Sequence, residues 1–411
     1  MLVSKKNIFA LLLTKLAEFA IPITIFPILA RSLGVSHFGS YSIIQVFISF
    51  IFVFLDYGYS VNGIRMVAKF KNETTHLGEF IQKAIILRMF IGIVSYFASI
   101  IILYNFFRES FSYGVIVFLL FTTISLVLNL SWLFQGLEII KRYALFLLMV
   151  RLISILPVVL FVKSSEDFVL SLWISNFANI AGSIYTILLL KQKNLNIIKK
   201  LNIGSIFEEF KSGWHFFVPS MYSILLTGGG VLVLGIYQSP AMVGGYSAME
   251  RLVKAVLGVA GVINQVVYPR IASLAQVSEK NALKELRRNF LFFIPIVAII
   301  TTILIIFGPL ISNLIYGGEY DKFTDVMRYL PLYVLFATIN TFIGVIYMSI
   351  FDFQKIYSRI FMMGTIIALV IYVCLSPVIG YHAPAVGLVL SEIIITALIS
   401  LFIIRKGNRH V

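Results

Sequence analysis

The residues FLFFIPIVAIITTILIIFGPLISNLIY, at positions 290–316, form a run of 27 that contains no charged side chain. A helix of about 20 apolar residues can cross the roughly 30 Å hydrocarbon core of a bilayer, so this run predicts a transmembrane helix. The whole chain has the same character, because 60% of its 411 residues are hydrophobic and only 12% are charged. A soluble domain carries about a quarter charged residues. The sequence therefore predicts an all-α integral membrane protein.

Eleven further apolar stretches of spanning length lie on either side of this run, which gives twelve predicted transmembrane helices. The twelve are predicted at 8–30, 41–64, 82–104, 112–134, 143–162, 168–190, 215–237, 244–268, 289–316, 330–351, 357–376 and 383–404. No connection between them is long enough to form a catalytic domain. The longest, 191–214, mixes lysines with isoleucine, leucine and phenylalanine, which is typical of an amphipathic segment on a membrane surface.

Basic residues are distributed unequally between the two sides of the predicted membrane. Of the 33 lysines and arginines, 23 lie in segments on one side, five lie on the other and five lie within spans. Cytoplasmic segments carry an excess of Lys and Arg, so both termini are predicted to be cytoplasmic. The same pattern explains the net charge of +15 without a nucleic-acid partner. The single cysteine, Cys374, excludes a disulfide framework, and no metal or cofactor is predicted.

Short motifs recur about half a chain apart and indicate an internal repeat. The matching pairs are Leu33–Gly34 with Leu234–Gly235, Gly39–Ser42 with Gly244–Ser247, and Glu138–Tyr143 with Asp352–Tyr357. Each half holds six predicted spans, and an even number gives both halves the same orientation, as in transporters built from parallel repeats. The predicted domains are an N-lobe at 1–190 with spans one to six, an interlobe linker at 191–214, and a C-lobe at 215–411 with spans seven to twelve.

Cations inside the predicted spans are candidates for substrate binding, because a charge at bilayer depth costs at least about 2.5–3.5 kcal/mol on insertion. In span eight, Arg251 and Lys254 share one helical face with small and polar residues. Such a face also suits a tight seam between helices, although a seam does not account for two cations. We predict that Arg251 and Lys254 line a substrate cleft, with Arg151 and Lys15 as secondary candidates. Arg88, near the end of span three, is expected to reach the headgroups by snorkelling and to have a structural role.

Four embedded carboxylates are candidates for coupling transport to protons or sodium ions. They are Glu18, Asp56, Glu250 and Glu392. A structural role stays open, since Glu18 lies three residues from Lys15 and Glu250 lies four residues from Lys254, and helical ion pairs form at these spacings. No Gly-x4-Gly-Lys-Ser/Thr motif occurs, so the sequence predicts no ATP-binding loop.

Span seven contains three consecutive glycines, Gly228, Gly229 and Gly230. Each glycine weakens a helix by about 1 kcal/mol, so three together favour a bend. Interrupted helices are common in transporters whose two halves move against each other. Close packing against a neighbouring helix is the structural alternative. We predict a hinge at these glycines.

Several motifs together resemble a known family. They are Pro27–Gly34, Phe38–Tyr41, Asp56–Gly58, Trp132–Glu138, Tyr246–Leu252 and Tyr268–Arg270. Their order and spacing along the whole chain resemble bacterial polysaccharide and O-antigen flippases of the multidrug/oligosaccharidyl-lipid/polysaccharide exporter superfamily. The resemblance implies a V-shaped pair of six-helix lobes around a central cleft, in the bacterial inner membrane.

The same resemblance implies a substrate and its route. The substrate would be an undecaprenyl-pyrophosphate-linked oligosaccharide, such as an O-antigen unit, which alternating access would move from the cytoplasmic to the periplasmic leaflet. Membrane lipid, a polysaccharide polymerase and a chain-length regulator would be the partners of such a protein.

Two other functions stay open from the sequence. A multidrug exporter of the same superfamily, driven by cation antiport, should have an acidic and aromatic cleft, which Arg251 and Lys254 do not favour. A membrane-embedded glycan polymerase or ligase should have a large outer loop, but the longest predicted one, Gly317 to Tyr329, has only thirteen residues. The sequence therefore predicts a transporter without catalytic residues and not an enzyme.

Overall fold

The computed structural model describes the backbone of residues 5–193 and 203–407. Within those helices, the side chains at 5–23, 203, 205, 259–260, 262–266 and 407 are not described. The described residues form thirteen α-helices with short 3₁₀ and π segments between them, and they contain no β-strand. The predicted all-α class is confirmed.

The helices follow the predicted spans closely. Their bounds are α1 Lys5–Asp56, α2 Ile64–Phe70, α3 Thr74–Phe106, α4 Tyr113–Leu128, α5 Ser131–Gly136, α6 Ile140–Phe161, α7 Phe168–Gln192, α8 Ile203–Tyr237, α9 Pro240–Ala275, α10 Glu279–Tyr316, α11 Leu332–Asn340, α12 Gln354–Ile379 and α13 His382–Gly407. The apolar run at 290–316 forms most of α10.

Two predicted spans are interrupted, and two others are joined. Predicted span one and most of predicted span two belong to α1, which is broken between them at Gly34. Gly34 has φ 70° and ψ 168°, a conformation that side chains other than glycine adopt at a steric cost. Predicted span four divides into α4 and the short α5. Predicted span ten consists of α11 followed directly by a π-helical segment, Thr341–Met348.

The predicted number of twelve spans is not confirmed. Nine helices in the described residues are long and apolar enough to cross a membrane, or ten if a pair bent by 51° near Arg328 counts as one span. Residues 24–56 of α1 count as one of these nine. Helix α9 is not among them, and its described residues include Glu250, Arg251 and Lys254 within one and a half turns. The chain is therefore a multi-pass membrane protein with at least nine candidate spans.

The chain divides into two compact units, unit 1 at Met1–Ile224 and unit 2 at Leu225–Val411. In unit 1, α4 and α6 both pack on α7, and α1 packs on α3 and α6. In unit 2, α12 packs along α13, and α10 packs on α9 and α11. The predicted domain bounds stay predictions. Residues 194–202 of the predicted linker lie outside the described residues, and the rest of it from Ile203 continues into α8 as one helix.

Two motifs of unit 1 form a buried aromatic cluster. Tyr59, just after the Asp56–Gly58 motif, stacks on Trp132 with ring centroids 5.2 Å apart. A Cβ at Gly136, which lies in the Trp132–Glu138 motif and ends α5, would lie 2.5 Å from Val67, so only glycine allows this approach of α5 to α2. The motifs therefore fix the packing at the end of α1.

A matching backbone turn supports the internal repeat. Glu138 and Asp352 both have positive φ, 62° and 64°, which is uncommon for residues other than glycine. In each case the next amide donates to the carbonyl five positions earlier, at 2.9 Å in unit 1 and 2.7 Å in unit 2. Both residues begin matching motifs of the sequence, so the two halves turn in the same way at this point.

Candidate functional site

The cations predicted in span eight lie on α9, in unit 2. The Nζ atom of Lys254 is 2.9 Å from Oε1 of Glu250, one helical turn earlier. It also donates to the carbonyl oxygen of Thr227 on α8, at 2.9 Å. The Lys254 side chain is 31% exposed, whereas that of Glu250 is 8% exposed. One of the two predicted cations is therefore held by a buried carboxylate.

Glu250 is in turn held by a buried tyrosine. The hydroxyl of Tyr246 donates to Oε1 of Glu250 at 3.0 Å. Tyr246 is buried, and so are Tyr333 and Tyr372, with which Glu250 interacts electrostatically. We call Tyr246, Glu250, Arg251 and Lys254 the α9 polar cluster.

Arg251 is half-buried and belongs to the same cluster. Its guanidinium group interacts electrostatically with Tyr316 and Tyr320, at the end of α10 and in the segment after it. Two positive groups and one negative group leave the cluster a net charge of +1. The cluster is thus weakly cationic, because Glu250 offsets one of its two positive charges.

The small residues on the same face of α9 are only partly packed. Gly258 is buried, as a seam between helices requires. A Cβ at Gly261, however, would meet no atom of the described residues within 4 Å. Close packing therefore does not extend along this whole face of α9. The side chain of Gln265, the next polar residue on the face, lies outside the described residues.

The secondary cations, Arg151 and Lys15, both belong to unit 1. Arg151 lies on α6 in unit 1, is half-buried, and its side chain forms no hydrogen bond or ion pair with the described residues. Lys15 lies in the stretch whose side chains are outside the described residues, and the same is true of Glu18.

Glu392 is a buried carboxylate whose hydrogen-bond partner is an amide. It is 6% exposed, on α13 of unit 2. The Nδ2 atom of Asn340 donates to its carboxylate and, at 3.2 Å, to its backbone carbonyl. Thr396 donates to the amide oxygen of Asn340 at 2.8 Å, so the amide is held with its N–H groups towards Glu392. Within the described part of the chain, no cation pairs with this carboxylate. The π-helical segment begins directly after Asn340, and such segments are frequent at functional sites.

Unit 1 has a similar arrangement without the acid. Thr186 in unit 1 corresponds to Thr396 in unit 2, and Gly182 corresponds to Glu392, at the same offset along the chain. In unit 1, a Cβ at Gly182 would lie 2.8 Å from Nδ2 of Asn129, so an amide occupies the space that a side chain would need. The position in unit 1 that corresponds to Glu392 therefore has no carboxylate.

Asp56 has a structural role in its neighbourhood. Its carboxylate accepts hydrogen bonds from the hydroxyl of Ser60 at 2.8 Å and from the Ser60 backbone N–H at 3.4 Å. It therefore caps the turn that follows α1, the site of the π segment Tyr59–Gly63.

The prediction that Arg88 snorkels to the headgroups is wrong. Its side chain is 2% exposed and donates to four backbone carbonyls. Nε donates to the carbonyl of Val127 and Nη1 to that of Leu55, each at 3.1 Å. Nη2 donates to the carbonyls of Leu126 and, at 3.2 Å, Asn129. The guanidinium group thus satisfies carbonyls at the ends of α1 and α4 that the helices leave without partners.

The three glycines of span seven are buried within an unbroken α8. A Cβ at Gly230 would lie 2.9 Å from Cβ of Pro384, and one at Gly229 would lie 3.2 Å from Leu369. Close packing on α12 and α13 therefore accounts for two of them. The boundary between the units also falls in α8, at Ile224, four residues before Gly228. The hinge stays a prediction.

Comparison with known proteins identifies the family. The family model described as "Polysaccharide biosynthesis protein" matches residues 4–275, about two thirds of the chain. The chain belongs to this family. The resemblance seen in the sequence motifs is thus confirmed.

Relatives of this polysaccharide biosynthesis protein match it over nearly its whole length. A putative O-antigen transporter of Shigella dysenteriae is 24% identical over 98% of this chain and 99% of its own. A putative O-antigen transporter of Escherichia coli (strain K12) is 22% identical over 97% of this chain and 96% of its own. Both relatives are named as putative transporters and neither as an enzyme, and the prediction that the family member is not an enzyme is confirmed.

Solved structures show the same fold. The lipid II flippase MurJ in an inward closed conformation aligns with a TM-score of 0.72 and 17% identity, over 97% of this chain and 87% of that one. An inward-facing multidrug resistance MATE family transporter of the MOP superfamily aligns with a TM-score of 0.69 and 12% identity, over 95% and 93%. No group of three or more His, Cys, Asp or Glu side chains suited to a metal occurs among the described residues of this family member.

Proposed function

We propose that this protein is a flippase that moves an undecaprenyl-pyrophosphate-linked oligosaccharide, such as an O-antigen unit, from the cytoplasmic to the periplasmic leaflet. The observation that carries the proposal is the α9 polar cluster, which holds Arg251 and Lys254 on a helix of a multi-pass membrane protein. The relatives named as putative O-antigen transporters support the substrate class.

The proposed mechanism is alternating access in the bacterial inner membrane. Twelve spans form two six-helix lobes around a central cleft, and both termini are cytoplasmic. An unpaired ion in hydrocarbon faces a penalty of tens of kcal/mol, so a wet, weakly cationic cleft is needed to pass a pyrophosphate. The isoprenoid chain stays in the bilayer while the headgroup crosses. Arg251 and Lys254 bind the pyrophosphate or acidic sugars, and Arg151 and Lys15 contribute from the N-lobe.

The membrane potential can supply the energy for transport, because the proposed substrate is an anion. A pyrophosphate of charge near −2 that leaves a negative interior gains roughly 4–5 kcal/mol per 100 mV of membrane potential. Glu392 offers a second source, because a buried carboxylate that has no cationic partner among the described residues can take up a proton or a sodium ion. Flipping that continues at the same rate in vesicles without any potential or ion gradient would remove both sources.

The closest alternative is multidrug export by cation antiport, since MATE transporters share the fold. The positive net charge of the α9 polar cluster disfavours organic cations. A polysaccharide polymerase and a chain-length regulator are the proposed partners in the pathway, alongside membrane lipid.

The test is a flipping assay in proteoliposomes that contain an undecaprenyl-pyrophosphate-linked oligosaccharide. Glycan that reaches the outer leaflet is counted by an impermeant lectin. We expect the wild type to flip the lipid and Arg251→Gln/Lys254→Gln to flip it much more slowly. A wild type that transports organic cations but leaves the glycolipid in place would contradict the proposal and favour the multidrug alternative.

A further inference from the structure

A basic pocket lies between the end of α9 and the first turns of α10, within unit 2. Its charged residues are Arg270, Lys284, Glu285, Arg287 and Arg288, and two leucines and an asparagine complete its wall. The cavity has a volume of about 510 Å³. We call it the α9–α10 basic pocket. It is separate from the α9 polar cluster, and the proposed transport step makes no use of it.

A buried carboxylate fixes two of the cations in place. Oε1 of Glu285 lies 3.0 Å from Nε of Arg270 and 2.7 Å from Nη2 of Arg288. The Glu285 side chain is 10% exposed, whereas the two arginine side chains are 63% and 67% exposed. The guanidinium groups are thus anchored at one edge from two helices, and each retains further N–H donors that face outwards.

The charge balance of the pocket indicates the ligand. Four cations and one carboxylate leave a net charge of +3. Lys284 and Arg287 are exposed and form no ion pair with the described residues, so their charges are not compensated by the protein. A glycerophospholipid phosphodiester carries one negative charge, whereas a diphosphate carries about two or more. The pocket therefore complements a diphosphate better, and its leucines offer apolar contact to the first carbons of an attached chain.

We infer that the α9–α10 basic pocket binds the diphosphate group of the lipid-linked cargo before transport. This inference rests on the proposed function. The pocket then lies on the side of the membrane that the distribution of lysines and arginines predicts to be cytoplasmic. The pocket captures the headgroup at the membrane surface, and the α9 polar cluster acts on it afterwards, within the membrane.

Binding is measured on the full-length protein in phosphatidylcholine nanodiscs by native mass spectrometry. The probes are undecaprenyl pyrophosphate, phosphatidylglycerol and inorganic pyrophosphate as competitor. The test variant is Lys284→Gln/Arg287→Gln, which leaves the ion pairs of Glu285 intact. The control is Lys355→Gln/Arg359→Gln, which removes the same charge from exposed positions on α12.

Near a membrane surface one basic side chain changes the binding of an anion about fivefold, so the test variant should bind undecaprenyl pyrophosphate on the order of thirtyfold more weakly. The control should bind like the wild type, and inorganic pyrophosphate should compete. Equal weakening in both variants, unchanged binding in the test variant, or equal binding of phosphatidylglycerol would each overturn the inference.

The flipping assay separates this inference from the proposed function. If the wild type flips the glycolipid and the test variant binds and flips it equally well, the pocket assignment fails and the function stands. If the test variant loses binding but the wild type does not flip, the proposed function fails and a diphosphate-lipid site remains.

Discussion

Replacing Arg88 by methionine should destabilise the protein strongly, although Arg88 is a charge inside the membrane. The guanidinium group donates to the carbonyls of Leu55, Leu126, Val127 and Asn129. Water cannot replace these bonds in the bilayer core. An unsatisfied buried acceptor costs about 1–3 kcal/mol, so the loss of a partner at only two of the four carbonyls costs about 2–6 kcal/mol. We expect Arg88→Met to lower the free energy of unfolding by about 4 kcal/mol.

The assay is reversible unfolding in a titration with sodium dodecyl sulfate, followed by circular dichroism. Arg88→Lys should lie between the wild type and Arg88→Met, because an ammonium group keeps the charge but cannot reach carbonyls at the ends of both α1 and α4. Arg151→Met is the control, since that side chain forms no hydrogen bond with the described residues, and it should change stability by less than about 1 kcal/mol. If the two methionine variants lost equal stability, the structural role assigned to Arg88 would be refuted.

Three further predictions concern packing, charge and pH. Gly230→Ala should cost about 1–3 kcal/mol of unfolding free energy by overpacking, and an unchanged value would show that α8 has room to bend there. Glu250→Gln removes the carboxylate that neutralises Lys254, so the KM for anionic cargo should fall about fivefold in flipping assays; a rise would contradict the charge argument. Burial, and then the Asp325 carboxylate, raise the pKa of Tyr381 to about 12. The neutral phenol is therefore favoured in the folded state, and this stability is complete below the ordinary pKa and is lost as the pH rises through about 12. Tyr381→Phe should be about 1 kcal/mol less stable than wild type at pH 8, and thermal unfolding should show this gap close by pH 12; a constant gap would contradict the assignment.

The helices could be predicted from the sequence because hydropathy depends only on composition over a window. Their interruptions could not. Gly34 breaks α1 through its backbone conformation, and a glycine in a helical pattern is compatible with either a break or close packing. The π segment after Asn340 leaves no mark on hydropathy either, since all its residues are apolar or small.

The site was predictable where its contacts are local. The pairing of Glu250 with Lys254 follows from their spacing of four residues. Tyr246 lies four residues before Glu250, so the same spacing also places its hydroxyl within reach of the carboxylate. The contact of Lys254 with Thr227 was out of reach, because it joins two helices.

The long-range contacts decide which embedded charges are structural. Arg88 meets carbonyls more than 30 positions away, and Glu392 meets Asn340 at a separation of 52. Sequence alone gives the depth of such a group but not its partner. The position of Arg88 in span three suggested snorkelling. Only its four carbonyl partners identify it as a buried hydrogen-bond donor that joins the ends of α1 and α4.

The central claim is that Arg251 and Lys254 face an aqueous passage used by anionic cargo. The direct measurement is thiol labelling in membrane vesicles, after Cys374→Ser removes the exposed native cysteine. A cysteine at position 254 or 251 should react with a charged, membrane-impermeant reagent, and an undecaprenyl-pyrophosphate-linked oligosaccharide should protect it. If neither position reacts under any condition while a loop cysteine labels fully, the two side chains do not face water, and the account of anionic cargo is contradicted.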